Sequence, residues 1–138
     1  MPLLFHFEEV PDPGINQQLV SAWIETIVKE HNRNIGDINY VFCSAAYLHN
    51  LNKEHLNHDY ETDIITFELS DDQGNIDADI FISVGNVKEN ASSLEVDFSD
   101  ELNRVMIHGI LHLLGFGDKT ESEKSAIREM EDRCLARL

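Results

Sequence analysis

No stretch of this chain approaches the roughly 18 consecutive apolar residues that a membrane-spanning helix needs, so a bilayer-crossing role through helices is excluded. The apolar start Leu3-Leu4-Phe5 has no basic flank and runs straight into Glu8 and Glu9. It does not read as a signal peptide, and the cytoplasm is the expected compartment. Cysteine is scarce: Cys43 and Cys134 lie far apart with no CxxC spacing. That excludes a disulfide framework and gives no sign of redox chemistry. Basic residues are few, ten Lys plus Arg against 26 Asp plus Glu, for a formal charge of -16. Such a chain repels phosphate backbones and anionic lipid at long range. Any nucleic-acid contact must come from a small local patch, a metal ion or a partner surface. Most of the acid reads as a solvated surface that aids solubility. Repeats, linkers and low-complexity segments are also missing. Its 138 residues are therefore read as one domain, 1–138, large enough to bury a core without staples.

Periodicity supplies the elements. Leu3 to Glu8 can form a strand, and Pro11-Asp12-Pro13-Gly14 is a turn signal. From Ile15 to about Arg33, Leu19, Trp23, Ile24, Ile27 and Val28 recur at helical spacing, with Asn34 and Gly36 as the stop. Asp37 to Cys43 alternates like a strand, Ala45 to Asn52 reads as a short helix, and a polar stretch runs from Lys53 to Tyr60. Thr62–Phe67 and Ile80–Val84 are β-rich runs flanking the turn residues Asp71-Asp72-Gln73-Gly74-Asn75. Helices are expected over Val87–Ser93, Ser99–Leu114 and from Glu121 onward. The pattern predicts an α+β domain with a mixed sheet of about four strands covered by helices.

The helix from Ser99 to Leu114 carries the chemistry. Ser99 is its expected N-cap, Asp100 and Glu101 suit the positive end of the dipole, and Gly115 is its expected stop. Apolar residues lie on nearly every side, which predicts a helix packed inside the domain. His108 and His112 are four residues apart, so both imidazoles project from one face, where they can share an ion. With seven His in 138 residues, chance alone supplies roughly 0.3 such pairs, so the spacing needs its context. Gly115 and Gly117 let the chain turn back, and Asp118 follows with a carboxylate that can reach the ion. The alternatives are two core histidines satisfied by hydrogen bonds, and an aspartate that caps the last helix near Thr120. Two imidazoles and one carboxylate leave a coordination position open, as a catalytic zinc requires. Gly109 occupies the position of the general-base glutamate in HExxH peptidases, which argues against that chemistry.

The run His108-Gly109-Ile110-Leu111-His112-Leu113-Leu114-Gly115-Phe116-Gly117-Asp118 resembles the signature HGxLHLxGYDH of the YbeY family, bacterial endoribonucleases implicated in rRNA maturation. Thr62–Phe67 is similar to that family's TDVLSF strand and Asp79–Ser83 to its GDIxIS strand. The resemblance implies a bound zinc, one per chain, and a cleft past the metal where RNA could lie. It also implies rRNA as partner, with a ribosomal subunit or ribosomal proteins. Two positions depart from the pattern. The family's third histidine falls on Asp118, an oxygen ligand that zinc accepts. The arginine of the family's YRGKD stretch falls on Leu56, which can bind no phosphate. Arg104, one turn before His108, is a candidate substitute or a plain surface arginine. Asp63 and Asp79 are candidates for a general base or for acceptors behind the metal-binding imidazoles, or are solvated strand ends. His6, His31, His49, His55 and His58 sit among polar residues.

Two readings follow: a metal-dependent endoribonuclease, and a ribosome-assembly or binding protein whose metal is mainly structural. Both predict weak binding to naked RNA that falls steeply with added salt, because few cations oppose the acidic surface. A filter-binding series across salt concentrations checks this, and nanomolar binding to arbitrary RNA at physiological salt would contradict it.

Overall fold

A computed structural model describes residues 3–69 and 74–138. Within them the chain runs β1 (Leu3–Glu8), α1 (Gln17–Glu30), β2 (Asn34–Cys43), α2 (Ala45–Leu56), β3 (Ile64–Glu68), β4 (Asn75–Ser83), α3 (Val84–Leu94), α4 (Phe98–Leu113) and α5 (Glu121–Leu135). The strands form one sheet in the order β1-β2-β4-β3. The first three are mutually parallel, and β3 is antiparallel to β4. This is the expected α+β architecture with a mixed four-stranded sheet. Alternation divides its two faces. Ile38, Tyr40 and Phe42 of β2, with Ile76, Ala78, Ile80 and Ile82 of β4, are buried on the face that packs against α1, α3, α4 and α5. On the other face Leu48 of α2 packs on Cys43 and Ile65 in a smaller cluster.

Several boundaries differ from the sequence pattern for local reasons. Helix α1 starts at Gln17 because Asn16 caps it, its Oδ1 accepting from Leu19 N at 3.1 Å. It ends at Glu30, and β2 is already under way at Asn34, before the glycine expected to stop the helix. Gly36 instead lies in a register irregularity of β2, where Asp77 Oδ1 accepts from Asp37 N at 2.6 Å. Helix α2 continues past Asn52 to Leu56 and closes on Asn57 in the left-handed region, φ 55°. Val84 belongs to α3 rather than to β4, since the Ser83 hydroxyl caps that helix by accepting from Asn86 N at 3.2 Å. The N-cap of α4 is Asp97, not Ser99. The expected turn residues Asp71-Asp72-Gln73 lie outside the described residues. Among the described residues no helix is long and apolar enough to cross a membrane.

Helix α4 lies against the middle of the sheet. Met106, Ile107, Ile110 and Leu111 are fully buried. Gly109 explains the close approach: a methyl there would come 3.1 Å from Ile64 Cδ1 and 3.4 Å from Ile80 Cγ2. The Tyr40 hydroxyl, wholly buried, donates to Met106 O at 2.9 Å and ties β2 to the helix. The helix is not enclosed on every side, however. Its buried stripe gives way to a half-buried His108, partly covered by α5, and an exposed His112.

Tyr40→Phe should lower stability by about 1 kcal/mol through loss of one buried hydrogen bond. Ile107→Ala should cost about 2–5 kcal/mol by leaving a cavity. Urea denaturation of the two variants beside the parent chain measures both, and a Tyr40→Phe variant as stable as the parent would remove the hydrogen bond from the account.

Candidate functional site

The loop after α4 is shaped by two devices that leave Asp118 facing back toward the helix. Gly115, at φ 109°, closes α4 in a Schellman arrangement: Phe116 N donates to Leu111 O at 3.0 Å and Gly115 N to His112 O at 3.1 Å. Phe116 is then held edge-on to His31, ring centroids 5.9 Å apart. At the other end Thr120 and Glu123 form a capping box on α5. Glu123 Oε1 accepts from Thr120 N at 3.1 Å and Lys119 N at 3.2 Å, while Glu123 N donates to Thr120 Oγ1 at 3.1 Å. The cap of α5 is therefore Thr120, not Asp118. Asp118 Oδ2 instead lies 3.7 Å from His108 Nε2.

The other nitrogen of His108 is engaged from α5. His108 Nδ1 and Glu131 Oε2 are 2.7 Å apart, and Glu131 Oε1 accepts from Arg104 Nη1 at 2.9 Å. Arg104 Nη2 also donates to Asp132 Oδ1 at 2.6 Å. The Glu131 side chain is only 6% exposed, whereas those of Arg104 and His108 are 20% and 29% exposed. Burial pushes the Glu131 carboxyl up, but the hydrogen bonds from His108 and Arg104 hold it below its ordinary value. The Glu131 hydrogen bond in turn holds the His108 imidazole above its ordinary value, against the effect of burial. With its Nδ1 proton donated to Glu131, a neutral His108 presents the Nε2 lone pair toward Asp118.

These groups open onto a cleft of about 370 Å³ between β3, α4, α5 and the loop. Its acids include Asp63, Glu101, Asp118 and Glu131, and its cations are Arg104, Lys124 and Arg128, three of the ten basic residues in the chain. Burial raises the pKa of Asp63 above its ordinary value, although Asn90 Nδ2 donates to its Oδ2 at 3.2 Å. Burial likewise raises that of Glu101, which is 7% exposed.

The fold thus brings His108, Asp118, Asp63 and Arg104 of the expected residues to one cleft. His112 does not line it. Among the described residues no three His, Cys, Asp or Glu side chains stand close enough together to hold a metal ion. Asp79 lies on the opposite face of the sheet, accepting from Asn39 Nδ2 at 3.1 Å, because it alternates with the core residues Ala78 and Ile80. It is remote from the imidazoles it was expected to support. Arg104 is neither a plain surface arginine nor a free phosphate binder, since its guanidinium is committed to two carboxylates. The acceptor behind His108 is Glu131, which sequence reasoning missed. A signal existed: Ile127, Glu131 and Cys134 share the buried face of α5, and a glutamate on an apolar stripe calls for a buried partner. Glu101 stands in the first turn of α4, as expected for the positive end of its dipole, and is also buried against the cleft.

A sequence profile of the family described as Endoribonuclease YbeY matches residues 8–138. The chain belongs to the YbeY family. The Endoribonuclease YbeY of Parabacteroides distasonis is 41% identical over 139 residues, covering 100% of this chain and 96% of that one. That of Cytophaga hutchinsonii is 44% identical over 134 residues, covering 96% and 94%. That of Christiangramia forsetii is 48% identical over 115 residues, covering 83% and 79%. A solution structure of a Thermotoga maritima protein aligns with a TM-score of 0.66 at 25% identity, covering 95% of this chain and 86% of that one. The YbeY signature over 108–118 accordingly falls on the last turns of α4 and the loop that carries Asp118. Leu56 ends α2 and is 38% exposed.

Removing Glu131 leaves Arg104 with only the exposed Asp132 and His108 without its acceptor. Glu131→Ala should therefore destabilise the protein by about 3 kcal/mol in chemical denaturation. A loss under about 1 kcal/mol, the range of an exposed pair, would show that the bridge is not what holds α4 to α5.

Proposed function

We propose that this chain is a cytoplasmic endoribonuclease of rRNA maturation and ribosome assembly. In this reading it hydrolyses RNA phosphodiesters in the cleft at His108 with the aid of one zinc ion. The observation that carries the proposal is the division of labour at the His108 ring. Nδ1 is taken by a buried carboxylate, and Nε2 faces a second carboxylate at 3.7 Å. Two ligands each about 2.1 Å from a tetrahedral ion stand roughly 3.4 Å apart, so the donor pair suits zinc. His112 sits one turn further along the same helix face and is exposed, so this reading requires its side chain to turn toward the other two. His108, His112 and Asp118 are then the holding residues.

A zinc ion there supplies Lewis acidity to a phosphoryl oxygen and lowers the pKa of water. The chain's own groups do the rest. Glu131 fixes the tautomer and orientation of His108, and Arg104 fixes Glu131. Asp63, whose burial favours its protonated form, can take up a proton at the cleft wall and return it. Lys124 and Arg128, exposed on α5, offer charge to flanking phosphates. A second reading is favoured by Leu56 in the family's arginine position and by the acidic surface. In it the chain assists ribosome assembly by binding a ribosomal subunit or its proteins, with a structural metal and little cleavage.

Metal-loaded protein incubated with structured rRNA fragments should produce cuts that disappear on chelation and in His112→Ala. Tight binding to ribosomal subunits without cuts would favour the second reading. Competitive zinc titration tests the ligand set. About one zinc per chain is expected, Asp118→Ala should weaken binding more than about tenfold, and Asp118→His should retain it. Unchanged affinity in Asp118→Ala, beside clear loss in His108→Ala, would mean that another group completes the site.

A further inference from the structure

The loop between α2 and β3 holds two rings that the cleft chemistry leaves unused. After Asn57 the chain is pinned to α2 three times. His58 N donates to Asn52 O at 3.2 Å, Asn52 Nδ2 donates to Tyr60 O at 3.0 Å, and His49 Nε2 pairs with Asp59 Oδ1 at 2.9 Å. Asn52 is only 2% exposed, so a buried amide is committed to fixing the loop backbone. What the loop presents is the reverse of buried. The rings of His58 and Tyr60 stack with centroids 5.1 Å apart and planes 17° from parallel, and the Tyr60 hydroxyl bonds His58 Nδ1 at 3.0 Å. Both residues are exposed, Tyr60 at 56%. An exposed tyrosine on a surface loop ordinarily samples several rotamers, whereas this one is stacked, hydrogen-bonded and anchored while a large part of its surface faces solvent.

Position and charge indicate what it meets. Asp63, on the cleft wall, is three residues from Tyr60, at most about 11 Å along the chain. The cleft's cations stand on α4 and α5. On the loop itself Asp59 and Glu61 repel a phosphate and Leu56 offers it nothing, and the basic Lys53 and His55 lie back in the last turn of α2. A strand entering from that side can be held by its bases instead, since stacking on an aromatic ring needs no positive charge and tolerates any base. We propose that the His58–Tyr60 stack is a platform for an unpaired base of the RNA strand entering the cleft. The proposal rests on the endoribonuclease reading of that cleft and adds to it a subsite.

The test uses zinc-loaded protein at low salt and a short oligonucleotide whose integrity is checked by gel electrophoresis after each reading. An abasic oligonucleotide of equal length serves as the comparison, and binding is read by anisotropy. Tyr60→Ala should bind the base-bearing strand about tenfold more weakly. Tyr60→Phe, which keeps the ring, should stay within about twofold. Neither change should alter binding of the abasic strand. Tyr60→Trp should show fluorescence quenching by the base-bearing strand alone, against the constant signal of the buried Trp23. Equal affinity of Tyr60→Ala and the parent chain for the base-bearing strand overturns the platform, as does an equal loss on both strands. Cleavage of rRNA fragments by the parent chain separates the two readings. Cutting without base-dependent binding removes the platform alone, whereas base-dependent binding without cutting removes the nuclease reading and leaves the platform as a binding site.

Discussion

The buried carboxylate of Glu131, with the exposed Asp132 beside it, joins the two helices that flank the cleft. It leaves water to accept from Arg104 with one oxygen and to bond His108 with the other. Burying a charge is costly, and replacing such a pair with apolar residues often gives a more stable protein. The bridge is thus poorly explained as a stabilising device. Its geometric effect is clearer: it sets the distance and rotation of α5 against α4 and decides which nitrogen of His108 faces the cleft. Asp118 depends on the same contact, since Thr120, the cap of α5, stands two residues after it.

Beneath the bridge, the position of α4 follows from the sheet. Gly109 lets the helix lie against Ile64 and Ile80, and Tyr40 donates to the helix backbone from the centre of β2. Both contacts fall within three residues of His108, so the best-packed part of the core supports the site directly. Dense packing of this kind holds a side chain still better than a loop can. The histidine that lies beyond the dense part, His112, is also the one the fold leaves exposed.

Charge shapes the molecule in a second way. With a net charge of -16, the chain gains nothing from long-range attraction to RNA. Its few cations therefore matter by placement. Lys124 and Arg128 line the cleft, Arg104 is committed to Glu131 and Asp132, and the loop before β3 presents two stacked rings between acids. A binding surface divided in this way relies on contact chemistry at short range, where screening and overall field count least.

Much of this was legible in the residues themselves. Alternation in Ile38, Tyr40 and Phe42, helical spacing in Trp23, Ile24 and Ile27, and the run from His108 to Asp118 determined the α+β class, the core helix and the family. These signals are local, one residue type at a fixed spacing, and survive without knowledge of what packs where. Gly115 as the stop of α4 was legible for the same reason, since a left-handed turn needs no partner from elsewhere. Only the tertiary structure decided that Glu131 rather than Asp79 stands behind His108, that Arg104 is occupied, and that Glu101 turns inward. Each depends on which faces of elements distant in sequence meet. Residues 108 and 131 are joined by the packing of α4 on α5, and one step of strand alternation sends Asp79 to the opposite face from Ile80. Spacing assigns a residue to a face of its own element, but not to the distant element that face meets.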